Sequence, residues 1–253
     1  MLNFRNITGF FLALFGAVLL MEGWSMFTFI VGLCILFVGV SFTIIGSFRM
    51  KMNYFLKGIH QLPVNENREI YITFDDGPHP DFTPKILALL ERYNAKATFF
   101  CIGKNIEKHP DVFLEIIQQG HLIGNHSYLH SNNYGFLSTK AVEEDIVKTQ
   151  QIIARLTGCE NKLFRPPFGV TNPNIARAVK KINLKTIGWS IRSYDTIAKS
   201  PEMVTEKINK KIKSGAIILL HDTSQLTVEV LEQLLISFES KSFNAKTLSL
   251  LIK

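Results

Sequence analysis

Three cysteines in 253 residues are too few for a disulfide framework. Cys34 lies in an apolar run, Cys101 in the strand-like "ATFFCIG" and Cys159 just beyond Gly158, so each reads as a small buried or incidental residue. Internal repeats and low-complexity tracts are absent, which excludes repeat architectures. No nucleic-acid-binding pattern occurs, although the formal net charge is +7. The densest basic group, "KINKKIKSG" over residues 207–215, has the spacing of a solvated helix face; attraction to anionic lipid headgroups is its functional alternative. Charge is scarcest near the N-terminus, where Glu22 is the only charged residue between Ile7 and Phe48.

That uncharged stretch contains two apolar pieces separated by "EGWS". Residues 26–48 are long enough to cross a bilayer core of ~30 Å at ~1.5 Å per residue. The first piece needs Gly23 and Trp24 to approach that length, and Trp24 suits an interfacial position. Arg5 ahead of a short apolar core also fits a secretory leader, but no small-x-small cleavage site follows. We read residues 1–48 as a transmembrane segment, a hairpin of 7–24 and 26–48, with a single span after an uncleaved leader as the alternative. Arg5, Arg49 and Lys51 flank both ends. A hairpin therefore returns the chain to the cytoplasm, whereas a single span places the rest outside. The expected location is the cell membrane, with the side open. Residues 49–68 read as a polar connector.

From Glu69 to the C-terminus, strand-like and helix-like segments alternate, which predicts an α/β domain of parallel strands over 69–253. "EIYITF", "ATFFCIG", "HLIGNH", "KLF", "KTIGWSI" and "AIILL" read as strands, with a closing strand near 247–252. "TPKILALLERYN" reads as a helix with Thr83 as N-cap and Pro84 at its first position. Chemistry in such a fold collects at the carboxyl ends of the strands. The polar residues there are Asp75 and Asp76, His126 and His130, Arg165, Asp195, and His221 with Asp222.

His126 and His130 in "HSYLH" are four apart, so one helical turn would put both imidazoles on one face. With a carboxylate they form three metal ligands and leave positions for water or substrate. In "YITFDDGP" a regular strand would point Asp75 and Asp76 to opposite faces. Gly77 permits unusual backbone angles and Pro78 ends the strand, so both can reach one mouth. A divalent cation would offset their repulsion, one carboxylate binding it while the other stays free as a base. Two histidines and a carboxylate also make the facial triad of non-haem iron oxygenases, but a spare base and acid favour hydrolysis.

"TFDDGP", "HSYLH", "RPPFG", "SYDT" and "LLHD" in this order resemble the motifs of the polysaccharide deacetylases, the NodB-homology family (carbohydrate esterase family 4), over roughly residues 69–253. The resemblance implies a distorted (β/α) barrel, here preceded by one or two transmembrane helices. It also implies metal-dependent removal of acetyl groups from N-acetylated sugars such as peptidoglycan or chitin-like glycans. On these positions Asp76, His126 and His130 would hold the metal, most simply Zn²⁺, with Co²⁺ or Ni²⁺ as alternatives. Asp75 would be the base, aimed by Arg165, and His221, held charged by Asp195, the acid. The Phe168 N–H would serve the oxyanion, and Leu220 would supply part of the wall around the acetyl methyl. Phe168 stands where the family usually has Tyr, and Thr196 where it has Trp. The expected partners are an N-acetylated glycan or a lipid-linked sugar, and membrane lipid. An inactive glycan-binding membrane protein is the reading from another class.

Overall fold

The computed structural model describes residues 3–21 and 25–252, so the expectation for Trp24, and the Glu22 that ends the first apolar piece, lie outside the described residues. Two helices come first. α1, Phe4–Leu19, starts where the Asn3 side chain accepts from the Asn6 N–H at 3.0 Å. α2, Met26–Phe48, starts in a reciprocal capping box of Ser25 and Thr28. Phe11 packs on Gly39 and Phe15 on Gly32, so the two helices run antiparallel. At ~1.5 Å per residue α2 reaches ~35 Å, whereas α1 reaches only ~24 Å. α2 is the one described helix long and apolar enough to cross a membrane. Large apolar side chains on both, including Phe10, Leu12, Phe27 and Phe37, stay exposed.

The remaining chain alternates strands and helices. The strands are β1 (Gly58–Ile59), β2 (Glu69–Asp75), β3 (Ala97–Cys101), β4 (Leu122–Asn125), β5 (Leu163–Phe164), β6 (Lys185–Ile187), β7 (Ile191–Arg192), β8 (Ile217–His221) and β9 (Asn244–Ala245). The helices are α3 (Thr83–Arg92), α4 (Gly103–Lys108), α5 (Pro110–Gln118), α6 (Thr139–Thr157), α7 (Pro173–Ile182), α8 (Pro201–Asn209) and α9 (Gln225–Ser240). All strand pairs in the sheet are parallel, in the order β1-β6-β5-β4-β3-β2-β8-β7, with β9 added beside β2.

"KTIGWSI", expected as one strand, is two. β6 and β7 sit on opposite flanks of the sheet with only residues 188–190 between them. At ~3.3–3.6 Å per residue so short a link can join the flanks only if the sheet curls almost closed. The break falls at Gly188, where a Cβ would lie 2.1 Å from the His60 ring. The barrel is therefore distorted and incomplete, as the family resemblance leads one to expect. The stretch read as a connector contributes β1 to its edge.

Side chains alternate along β2 and β8. Ile70, Ile72, Phe74, Ile218 and Leu220 face the surrounding helices in the main core. Tyr71 and Ile217 point into the barrel with Leu62, Phe100 and Leu163. Asp75 is paired in register with His221, which brings the ends of the two central strands together.

Two expectations need correction. The last strand is Asn244–Ala245 rather than 247–252. The Thr98 hydroxyl accepts the Leu248 N–H at 3.1 Å, and Leu248–Leu251 turns as a 3₁₀ helix that buries Leu248 against the barrel interior. Thr83 is the first helical residue rather than the N-cap, because its hydroxyl donates to the Asp222 carboxylate at 2.5 Å and accepts the His79 N–H.

Candidate active site

Arg165, directly after β5, is completely buried inside the barrel. Its Nη1 donates to Asp75 Oδ1 at 2.6 Å and to Thr73 at 2.9 Å, and its Nε and Nη2 donate to the carbonyls of Ile187 and Gly188. Its guanidinium lies 4.1 Å from the Phe100 ring centre. Burial disfavours its charge and lowers its pKa, and pairing with Asp75 offsets part of that cost. Asp75 is thus pinned at the strand end with its second oxygen 3.7 Å from His126 Nε2.

Asp76 turns away from that pair because it, rather than Gly77, takes the left-handed backbone, with φ +76°. Gly77 is needed for space: a Cβ there would lie 2.1 Å from the Asp222 carboxylate. Burial raises the Asp222 pKa to about 7, and one of its carboxylate oxygens has no hydrogen-bond partner among the described residues. Asp76 Oδ1 stands 3.4 Å from His126 Nε2 and 3.4 Å from His130 Nε2.

The two histidines meet, but not on a helical turn. Residues 126–130 form a loop after β4 in which Ser127 and His130 adopt positive φ. Local hydrogen bonds fold it: Asn125 Oδ1 accepts the Ser127 N–H, and Ser127 Oγ accepts the His130 N–H. Asp145 of α6 clamps it by accepting the N–H groups of Tyr128 and Leu129 at 3.0 and 3.1 Å. Sequence reasoning missed Asp145, whose isolated position in a helix carried no signal.

The residues present fit a divalent cation. Asp76 Oδ1 is buried without a hydrogen-bond partner among the described residues, and the three donor atoms lie within 4.8 Å of one another. Ligand bonds of about 2.1 Å set about 109° apart would separate donors by about 3.4 Å. His126 Nδ1 donates to the Arg165 carbonyl at 2.8 Å, so Nε2 carries the lone pair that faces Asp76. Burial opposes a charge on His126, but the Asp75 and Asp76 carboxylates outweigh it and raise its pKa: the cluster attracts positive charge. Burial, followed by the charge of His126, pushes His130 down to about 4. Burial also resists ionisation of Asp76, yet interaction with His126 and the charges of His130 and His221 hold its carboxyl well below the usual range.

Across the mouth, Asp195 holds His221 from two sides. Its Oδ1 accepts the Nδ1–H at 2.9 Å and its Oδ2 the backbone N–H at 2.8 Å. Ser193 and Thr227 also donate to this carboxylate. Burial works against protonation of His221, but Asp195 prevails and raises its pKa to about 8. No hydrogen bond takes up the ring's Nε2 among the described residues.

Phe168 sits in a 3₁₀ turn with φ +58°, and no hydrogen bond takes up its N–H among the described residues. Its half-exposed ring lies 4.5 Å from that of His130. Leu220 does not line the mouth. It is fully buried between sheet and helices, and the strand alternation gives Leu219, two residues before His221, the inward face. Trp189 is half-buried against Gly169 beside this turn, and Thr196 is exposed.

A family model described as polysaccharide deacetylase matches residues 64–187. A peptidoglycan-N-acetylglucosamine deacetylase of Bacillus cereus is 34% identical over 76% of this chain and 92% of its own length. The chain belongs to the polysaccharide deacetylase family. A second B. cereus enzyme of that description is 35% identical over 71% of this chain, which spans 66% of that relative's length. The solved Bc1960 peptidoglycan N-acetylglucosamine deacetylase superposes with a TM-score of 0.70 at 34% identity, covering 75% of this chain and 89% of its own. Within this family fold, Asp75 and Asp76 stand in different environments, and the difference depends on the close fit of Gly77 against Asp222. Gly77→Ala should therefore displace Asp76 and weaken Zn²⁺ binding by roughly 10–100-fold, the range for disturbed supports of a metal site. Titration calorimetry on the purified chain checks this, and unchanged affinity contradicts the packing argument.

Proposed function

We propose that the protein is a membrane-anchored, divalent-metal-dependent hydrolase that removes the N-acetyl group from N-acetylglucosamine-containing glycans. One observation carries the reading: Asp76 stands 3.4 Å from both imidazoles while neighbouring Asp75 is held at 2.6 Å by Arg165, opposite His221. Peptidoglycan N-acetylglucosamine deacetylases among the relatives support the substrate class. The length and apolar character of α2 support an anchor.

Asp76, His126 and His130 would hold the cation, and their oxygen and nitrogen donors suit Zn²⁺. When bound, such a cation supplies Lewis acidity to a water and to the acetamide carbonyl. Asp75 accepts the proton of the attacking water as its oxygen adds to the acetamide carbon. The Phe168 N–H donates to the oxyanion that develops on the former carbonyl oxygen. His221 gives its Nε2 proton to the nitrogen as the C–N bond breaks, leaving acetate and a free amine. Leu219, rather than Leu220, lies on the face that meets the acetyl methyl. A lipid-linked sugar is a second reading, favoured by the Thr171 N–H donating to the Ser47 carbonyl at 3.0 Å: the loop that carries Phe168 is tied to the end of α2.

The divided carboxylates give the first test. Asp75→Asn should retain bound Zn²⁺ and lose turnover by roughly 10²–10⁴-fold. Asp76→Asn should lose the metal itself. Metal content by mass spectrometry on both variants decides, and the reverse pattern exchanges the roles.

The second test concerns pH. A general acid must be protonated, so kcat/KM should fall as pH rises through about 8, the raised value of His221. The same ion pair stabilises the folded chain below the unfolded histidine's ordinary range, and that contribution is lost as pH rises through about 8. In Asp195→Asn the alkaline limb should move to lower pH. A limb that stays in place removes Asp195 from this role.

A further inference from the structure

The basic residues of "KINKKIKSG" do not all face open solvent. Lys207 and Lys211 line a cleft of about 450 Å³ that opens where the end of α2 meets the sheet edge. Arg49 and Lys51 come from the chain just beyond α2, and Arg192 from β7; Trp189 and Tyr194 form the aromatic wall. Five cations converge, no acidic residue lines the cleft, and none of the five forms an ion pair among the described residues. The Arg192 guanidinium stacks 5.0 Å from the Tyr194 ring and 5.6 Å from the Trp189 ring, and the Lys207 ammonium lies 3.6 Å from Tyr194. Lys51 Nζ donates to the Ser190 carbonyl at 2.7 Å, so the segment after α2 is fastened across the cleft. Burial and then the charge of Lys211 and Lys213 lower the Lys51 pKa, and burial with Lys211 and Arg192 lowers that of Lys207. Burial is the larger cause in each, and the neighbouring cations add to it.

The cleft has two fixed neighbours. One is the end of α2, since Phe48 is part of its wall, which on the membrane-anchored reading puts it at the lipid–water boundary. The other is the catalytic mouth. Trp189 packs against Gly169, next to Phe168, and Tyr194 directly precedes Asp195. The loops between strands and helices also leave Leu129, Phe136 and Ile197 exposed. On that reading the anion met at the boundary is a lipid phosphate. A sugar joined to lipid through phosphate could place its acetamide in the mouth while its phosphate occupies the cleft.

We infer that this cleft is a seat for the phosphate or diphosphate that joins a membrane lipid to an N-acetylated sugar, which makes a lipid-borne glycan precursor the substrate class. The inference rests on the deacetylase reading above and adds a second recognition point to it. Arg192 and Lys211 bind the phosphate oxygens, Lys51 and Lys207 add charge, and Trp189 and Tyr194 hold Arg192 in place.

The test uses the full chain in detergent. Intrinsic tryptophan fluorescence is titrated with an isoprenyl diphosphate, inorganic pyrophosphate and a short-chain phosphatidylglycerol. The isoprenyl diphosphate should bind saturably and weaken steeply with salt. Arg192→Gln combined with Lys211→Gln should lower its affinity at least tenfold, while Arg192→Lys combined with Lys211→Arg should retain it. The same double Gln variant should raise KM for a lipid-diphosphate-linked N-acetylglucosamine, with kcat changing far less. Equal affinity for phosphatidylglycerol would make the cleft a general headgroup seat and overturn the substrate assignment. Equal affinity for inorganic pyrophosphate, or no saturable binding, would overturn it as well. Acetate release by the wild type from a soluble N-acetylglucosamine oligomer, measured in parallel, separates the two readings. Release without isoprenyl diphosphate binding sinks the cleft alone, and no release from any substrate sinks the deacetylase reading.

Discussion

The burial of Arg165 is the constraint on which the mouth of the barrel depends. A guanidinium with no access to water must have its donors and its charge answered from within, and here Asp75, Thr73 and the carbonyls of Ile187 at the end of β6 and of Gly188 just beyond it do so. Those partners tie β2 and β6 to the end of a strand only two residues long. The Arg165 carbonyl, in turn, fixes the tautomer of His126. One residue therefore positions both Asp75, the proposed base, and His126, a proposed metal ligand. Removing one partner of such a pair leaves a buried charge unanswered, at a cost of about 3–5 kcal/mol.

With Asp75 committed to Arg165, the next residue faces a different environment. Asp75 has 5% of its side chain exposed and is surrounded by barrel atoms, whereas Asp76 has 28% exposed and faces two imidazoles. The left-handed turn at Asp76 produces that difference, and the Gly77–Asp222 contact leaves room for it. Across the mouth, Asp195 makes the opposite adjustment, since its carboxylate keeps His221 protonated where Asp76 stays ionised. Groups of opposite proton affinity thus meet at the ends of adjacent strands.

Much of this was legible in the sequence, because strand ends are marked by a change from apolar to polar residues. "YITFDDGP", "HLIGNH" and "AIILLHD" each announced a site residue that way. What stayed hidden was three-dimensional. A spacing of four suggested a helical turn for His126 and His130, but side-chain hydrogen bonds from Asn125 and Ser127 and the clamp of Asp145 fold a loop instead. Leu220 was one position out of phase, an error of strand period that exchanges core for cavity. "KTIGWSI" read as one strand because nothing local announces that a barrel must close there. The basic spacing of residues 207–215 suggested a solvated face, and only the approach of the segment after α2 turned part of it into the wall of a cleft.

The proposed separation of roles between adjacent carboxylates unites these features, and a structure of the full chain loaded with Zn²⁺ tests it most directly. The anomalous signal should place the ion within about 2.0–2.2 Å of Asp76 and of the Nε2 atoms of His126 and His130. The Asp75 carboxylate should remain paired with Arg165 and beyond bonding distance of the ion. An ion ligated by Asp75, with the Arg165 pair opened, would contradict the account.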